Sequence, residues 1–407
     1  MELFEPERHE RLRRARWSEA AARRFVDRVI ATTEARFESL GMWPAHPDDG
    51  SRGANELFSL YWGAAGVVWS LRRLAEQGFP ADPDRYGAFV PSLIVRNRQS
   101  TAAIGLRDPQ HYRHGLLIGD AGVQWLDWQV DPSPARADAL FQSVSANVNN
   151  PVLEFMWGSP GTMLVAAEMF RATQDDRWRN VFRESAATLS GKLVSGVSAS
   201  CRVWVQDLFG DHVAHLGAVH GFAGNVAPLV AGASLLDEAE LAEWKRTARQ
   251  TLKATAVVEG DYANWPHSID GDRAGRGQLL VQHCHGAPGI VNAVGAWGNG
   301  EDPEFDALMM QAGELTWLAG PLAKGPGLCH GTAGNGFAFL RLHADTGETL
   351  WLERARAFAM HAIRQSELRE QRHGDLRYSL WTGDAGVALY VAACMRPDGR
   401  FPTMATL

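Results

Sequence analysis

Short apolar runs recur along this chain at a loose interval, and each is opened by the pattern Gly-x-x-Gly. The pattern stands at Gly63–Gly66, Gly119–Gly122, Gly158–Gly161, Gly221–Gly224, Gly286–Gly289, Gly331–Gly334 and Gly383–Gly386, with spacings of 56, 39, 63, 65, 45 and 52 residues. Runs such as VVWSLRRLAE, VQWLDW, TMLVAAEMF, IVNAVGAW, FAFLRLHADTG and VALYVAACM follow the glycines and predict mostly apolar helices. Upstream lie stretches such as DRWRNVFRESAATLSGKLVSG and LWLERARAFAMHAIRQSELR. In these, charged and apolar residues alternate near the 3.6-residue period of a helix with one wet face. RVWVQDLF, starting at Arg202, is the best short strand candidate.

Repeated helix pairs opened by glycine turns predict an all-α, α/α toroid: a double seven-helix barrel, apolar helices inside and amphipathic helices outside. Glycine suits such turns because it lets the chain enter tightly and removes side chains where helix starts crowd. All inner-helix N-termini then point to one end, which should gather unpaired N–H groups and positive dipole ends at a single mouth. No linker or low-complexity tract divides the chain, so residues 1–407 read as one domain, with an N-terminal helical extension over about 1–55. The loop around Arg98–Tyr112 and the stretch Asp261–Gly277 are the least regular parts.

Composition narrows the function classes. A net charge of −7 argues against a nucleic-acid platform, which is usually basic. No run approaches the roughly 18 apolar residues of a membrane span. The charged start, MELFEPERHERLRRARWSEAAARRF, lacks the apolar core of a secretory leader. Four cysteines are too few for a disulfide scaffold at this length, and two share a local motif, which suggests a metal in a reducing cytoplasm. Fifteen tryptophans against six tyrosines is a skewed ratio, and the expectation is an apolar, tryptophan-rich rim.

The turns are not equivalent. Turns one, two and seven offer nothing more reactive than Asp120 and Asp384, which read as helix-start carboxylates. Turns four, five and six carry His220, Cys284-His285 and Cys329-His330. Cys284 and Cys329 stand two residues before the first glycine of consecutive repeats, and in a ring such positions lie side by side. Two thiolates with a third ligand from His285 or His330 would hold zinc with its fourth position open, as a catalytic site requires. The competing reading, two buried small cysteines with structural histidines, is weakened by two Cys-His-Gly copies in register. His220 faces the same mouth and suits acid–base work near neutral pH. Glu154, four residues before Gly158, could orient that histidine or shuttle a proton.

At these residues the chain resembles the lanthionine synthetase C-like family. HGFAGN (His220–Asn225), QHCHGAPGI (Gln282–Ile290) and GLCHGTAGNG (Gly327–Gly336) carry the resemblance, and the glycine turns extend it over about residues 60–390. The C-H-G-A-P-G form is closer to the eukaryote-type branch than to bacterial lantibiotic cyclases, which typically have tyrosine where His285 stands. The resemblance implies a double seven-helix toroid and a zinc ion on Cys284, Cys329 and His330, with His285 beside the metal. It also implies a catalytic His220, and it places Glu154 where the family carries an acidic residue. Lys324 and Arg372 stand where the eukaryote-type branch binds glutathione or a phosphate group, although they read equally as a solvated loop lysine and a helix-end charge. One departure is Leu280, where lantibiotic cyclases have arginine; Arg273 or Arg276 would have to compensate.

The expected chemistry is zinc-dependent thiol activation. A cysteine or glutathione thiolate adds to dehydroalanine or dehydrobutyrine, and His220 protonates the resulting enolate. Phosphoserine or phosphothreonine would first lose phosphate in the glutathione version, with Lys324 and Arg372 receiving its charge. The expected partners are a dehydrated peptide or glutathione, with any kinase, lyase or dehydratase a separate protein. Two rivals stand beside this: a carbohydrate-active toroid that uses tryptophans for stacking, and a non-catalytic zinc protein that binds glutathione or a phosphopeptide.

Overall fold

The computed structural model describes residues 3–13, 15–49, 56–103, 109–208, 210–269, 279–298 and 300–407. Among these residues, seven helices follow the seven glycine turns: Ala64–Glu76, Asp120–Val130, Ser159–Thr173, Phe222–Ala231, Ala287–Val294, Thr332–Thr346 and Asp384–Met395. Each packs against the next, and the last packs against the first, so the apolar helices form a closed inner ring. Glu19–Arg36, Val90–Ala103, Pro134–Asn147, Asp176–Gly191, Glu238–Thr255, Pro303–Ala319 and Thr349–His373 form the outer layer. The chain therefore has the α/α toroid fold. Glu19–Arg36 packs on the last inner helix, so a segment that reads from sequence as an extension supplies an outer helix. RVWVQDLF divides between two short hairpins, with Arg202–Val203 in one and Gln206–Leu208 in the other. No helix among the described residues is long and apolar enough to cross a membrane.

The glycines set how tightly the ring closes. At all seven turns, a Cβ on the second motif glycine would fall 1.8–2.4 Å from the carbonyl oxygen six residues earlier, for example Leu328 behind Gly334. The same Cβ would also meet the neighbouring repeat: Gly334 lies against His283, Gly122 against Leu60, and Gly66 against Leu380, across the seam of the ring. No side chain fits in either direction.

The two layers start their helices differently. Ser18, Ser133, Asp175, Asp237 and Asp302 cap outer helices through their side chains, with a full capping box at Asp237 and Glu240. Inner helices begin at glycine, which has no side chain to cap with. At five of the turns the first N–H instead donates to the carbonyl seven residues earlier, for example at 3.0 Å from Ala64 to Leu57, 2.9 Å from Phe222 to His215 and 3.0 Å from Thr332 to Gly325. At turn five the Ala287 N–H donates to the Asn264 side-chain oxygen at 2.8 Å. The expectation of unpaired N–H groups around the mouth is thus corrected at these six turns, where the donors are consumed by the turn's own carbonyls or by Asn264. The helix-start reading of Asp120 and Asp384 holds, with arginines added: Asp120 pairs with Arg98 and Arg113, and Asp384 with Arg369.

The tryptophan-rich rim is corrected in part. Every tryptophan is buried or half-buried, and Trp69, Trp178, Trp204, Trp265, Trp351 and Trp381 are among the largest fully enclosed side chains. Trp317 and Trp351 pack on Phe339 of an inner helix, whereas Trp62, Trp157 and Trp381 stand in the glycine turns, Trp157 with its ring centre 5.6 Å from that of His220.

Gly334→Ala should therefore destabilise the protein by about 3 kcal/mol or more, because backbone on one side and a neighbouring repeat on the other must both give way. Gly191→Ala, with open space around its Cβ, should stay within about 0.5 kcal/mol of the parent. Chemical denaturation midpoints compare the two, and equal midpoints would contradict this account of ring closure.

Candidate metal centre at the mouth of the ring

Backbone hydrogen bonds join equivalent residues of successive turns at the position two before the first motif glycine. The Cys284 N–H donates to the Cys329 carbonyl at 3.3 Å, Cys329 to Trp381 at 2.9 Å, Trp381 to Tyr61 at 3.1 Å, Tyr61 to Leu117 at 2.8 Å and Leu117 to Met156 at 3.1 Å. This ladder puts the two cysteines side by side. One ligand atom from each of Cys284, Cys329 and His330 lies within 4.8 Å of the others, with Cys329 Sγ 3.8 Å from His330 Nε2. Both sulfurs are buried and His330 is half-buried, so the group opens toward the mouth on one side only.

The donor set suits a divalent transition metal. Burial by itself disfavours both thiolates, but the Cys284 hydrogen bond, His330 and the Tyr61 hydroxyl together hold Cys329 well below the usual thiol range. Burial and the adjoining Cys329 sulfur push Cys284 well up, against weaker opposing effects of a Gln282 hydrogen bond and the Lys324 charge. Cys284 therefore keeps its proton unless a cation lies beside both sulfurs, since two anionic sulfurs this close and shut from water would need one between them. Thiolate and imidazole donors with a half-open side fit zinc.

A second pair of groups faces the same mouth. His220 Nδ1 lies 2.9 Å from Glu154 Oε2, which leaves Nε2 as the imidazole's unanchored nitrogen. Glu154 is fully buried and also accepts the backbone N–H groups of Met156, at 2.9 Å, and Trp157. Burial would lower His220, but the Glu154 hydrogen bond and charge outweigh it, with help from Cys329, and hold this histidine above its ordinary range. His285 goes the other way. Burial drives it well below the usual histidine value, and His220, His215, His267 and His330 add to the effect. Its ring centre is 6.4 Å from that of His220 and 5.9 Å from that of His267.

Of the residues singled out from sequence, the structure brings together Cys284, Cys329, His330, His285, His220 and Glu154. Lys324 is exposed on the loop before turn six, close enough for its charge to act on Cys284. Arg372 is exposed in the last turn of Thr349–His373, and among the described residues no hydrogen bond or ion pair joins it to the cluster. Leu280 serves through its backbone, its carbonyl accepting from Asn264 at 3.2 Å. Arg273 and Arg276 lie outside the described residues.

Sequence reasoning missed Tyr61, whose hydroxyl hydrogen-bonds Cys329, so turn one is not chemically silent. The signal was available, because Tyr61 holds in turn one the position that the cysteines hold in turns five and six. It also missed His215 and His267, which backbone pairing of 214–216 with 267–269 sets next to His285. His283 belongs to the core: it stacks on Phe401 at 3.9 Å, accepts from Asn292 at 3.0 Å and is pushed down by burial to about 3.

Residues 58–406 match the family described as "Lanthionine synthetase C-like protein". "Glutathione S-transferase LANCL1" from Danio rerio is 32% identical over 197 residues, covering 46% of this chain and 45% of that protein. "LanC-like protein GCL1" from Arabidopsis thaliana is 34% identical over 195 residues, covering 46% of this chain and 42% of that protein. The aligned segments thus span less than half of each of these relatives. "Nisin cyclase" shares the fold with a TM-score of 0.59 at 15% identity, over 92% of this chain and 94% of its own.

Glu154→Gln should move the His220 imidazole titration to lower pH in NMR spectra. A histidine raised in the folded state stabilises fully below the unfolded value and loses that contribution as pH rises through the folded one. The stability gap between parent and variant should therefore be larger near pH 6 than near pH 9, and an unmoved titration would contradict the assigned pairing.

Proposed function

The chain belongs to the lanthionine synthetase C-like family, and from that premise we propose that it joins a thiol to a dehydrated residue as a zinc-dependent thioether-forming enzyme. The observation that carries this reading is the placement of a buried cysteine pair with His330 beside a carboxylate-anchored histidine, in one mouth. In this reading Cys284, Cys329 and His330 hold the zinc. When bound there, zinc supplies one thing, a lowered pKa for an incoming thiol at neutral pH.

The chain's own residues do the rest. The incoming thiolate forms a carbon–sulfur bond to the β-carbon of dehydroalanine or dehydrobutyrine, and the alkene electron pair moves toward the α-carbon and its carbonyl. His220, charged because Glu154 favours its cation, gives the α-carbon a proton from Nε2. The proton released by the thiol recharges His220, so the net reaction is addition of the thiol across the double bond. His285, held neutral, neither competes for that proton nor repels the positive His220, and its ring can donate a hydrogen bond to the developing enolate oxygen. Tyr61 and Gln282, at 3.0 Å from Cys284 Sγ, fix the sulfurs in place.

Glutathione is the thiol we favour. The relative called a glutathione S-transferase motivates it, and Lys324 adds an exposed cation beside the cysteines for a carboxylate-bearing donor. Leu280 in place of arginine points away from peptide cyclisation. Arg372 would meet an anionic part of the substrate from the rim.

Two variants test the proposal. Cys284→Ala with Cys329→Ala should lose the zinc of this centre and all addition of glutathione to a dehydroalanine peptide, followed by mass spectrometry. His220→Ala should keep that zinc and bind glutathione, yet slow addition by about 10²–10⁴-fold. A protein that adds glutathione at the parent rate without His220 would overturn its assigned role.

A further inference from the structure

Away from the cysteines, a second group of metal-ligand type gathers where the ring closes. His46 lies on the loop after the first outer helix, and His373 ends the last outer helix, so the two meet across the seam between the chain's beginning and end. One ligand atom from each of His46, Asp48 and His373 lies within 4.8 Å of the others. His46 Nδ1 is 3.4 Å from Asp48 Oδ2, and the imidazole centres are 4.6 Å apart at 67°.

His46 is the unusual member. Its side chain is 2% exposed; Nδ1 accepts the Asp48 backbone N–H at 3.1 Å, and Nε2 is shut from water with no hydrogen-bond partner among the described residues. A buried imidazole usually has both nitrogens engaged, and leaving one unmet costs about 1–3 kcal/mol. Asp48 and His373 are exposed, so an ion can enter from solvent. The nearby cations are already matched: Arg377 pairs with Asp49, with Nε–Oδ2 at 2.8 Å, and Arg369 with Asp384 at 2.8 Å. The Asp48 charge is therefore left available to a cation.

We propose that His46, Asp48 and His373 form a second binding site for a divalent transition-metal ion of the zinc class. Two imidazoles and a carboxylate favour zinc, cobalt or nickel over magnesium or calcium, which take oxygen ligands. The site clips the 41–49 loop to the last outer helix. Asp49 carries the connection inward, because it pairs with Arg377 and accepts from Thr382 Oγ1 at 3.0 Å. Thr382 adjoins Trp381, whose carbonyl accepts the Cys329 N–H. Occupancy of the clip thus bears on the turn that backs the cysteine centre, although the proposal does not depend on what that centre catalyses.

The test uses the full chain with Cys284→Ala and Cys329→Ala, which silences the first centre, and titrates the metal-free protein with Co²⁺ and then Zn²⁺. The expected result is about one equivalent bound, with the d–d absorption of a nitrogen and oxygen site, no thiolate charge-transfer band, and a zinc-dependent rise in Tm. Adding His373→Gln, a surface change, should weaken binding at least about tenfold and abolish that rise. In the otherwise unaltered chain, His373→Gln should lower zinc content from about two equivalents to about one, a readout that survives poor folding of the cysteine variants. No bound equivalent in the cysteine variant, or affinity and zinc content unmoved by His373→Gln, overturns the proposal.

Discussion

The candidate site depends on a backbone hydrogen bond between turns, made from five of the seven turns by the residue two before the first glycine. That bond fixes which residue of one repeat faces which residue of the next. Where the residues are leucine or methionine, the consequence is packing alone. Where they are Cys284 and Cys329, it is two sulfurs in one enclosed volume. The second glycine of each motif is what allows the approach, since a Cβ there would meet both its own turn and the adjoining one. The same register brings Trp381 and Tyr61 round to Cys329, so the centre is backed by the ring's closure as well as by its own two turns.

The ladder is altered at turn three. The Met156 N–H goes to the Glu154 carboxylate, and it is the Phe155 N–H that reaches Val219 in turn four, at 3.1 Å. A buried carboxylate here replaces part of a turn-to-turn contact with its own acceptor oxygens and uses what remains to hold His220. Structure and acid–base chemistry thus meet in one side chain. Glu154 keeps the turn in shape and sets the charge of the histidine that faces the cysteines.

Much of this was legible in sequence because a ring turns sequence register into spatial adjacency. Seven Gly-x-x-Gly copies and their apolar followers specify the inner helices, and Cys-His-Gly twice in the same register brings the sulfurs together. What escaped notice had no signature of residue type. Backbone carbonyls that cap the inner helices leave no mark in the sequence. Tyr61 looks like one more aromatic before a turn, and its register alone distinguishes it. His215 and His267 come together through pairing of two irregular segments, which no local pattern announces. The tryptophans misled in a different way, because composition records how many large rings there are and not which way they face. With most of those rings in the core, the tryptophan count lends little to a carbohydrate-stacking mouth.

The mouth holds two imidazoles close enough that a charge on one opposes a charge on the other, and the surroundings decide between them. Of the two imidazoles, Glu154 holds His220, whereas the other histidines crowd His285. A proton entering this space therefore resides on His220 and leaves His285 neutral. Separating two similar groups in this way produces one donor and one neutral hydrogen-bonding partner from the same residue type. A reaction that ends by protonating carbon needs that asymmetry, because two equivalent histidines would share the charge and neither would be reliably acidic at the moment the enolate forms. The single buried carboxylate of turn three is thus as necessary to the proposed chemistry as the two sulfurs.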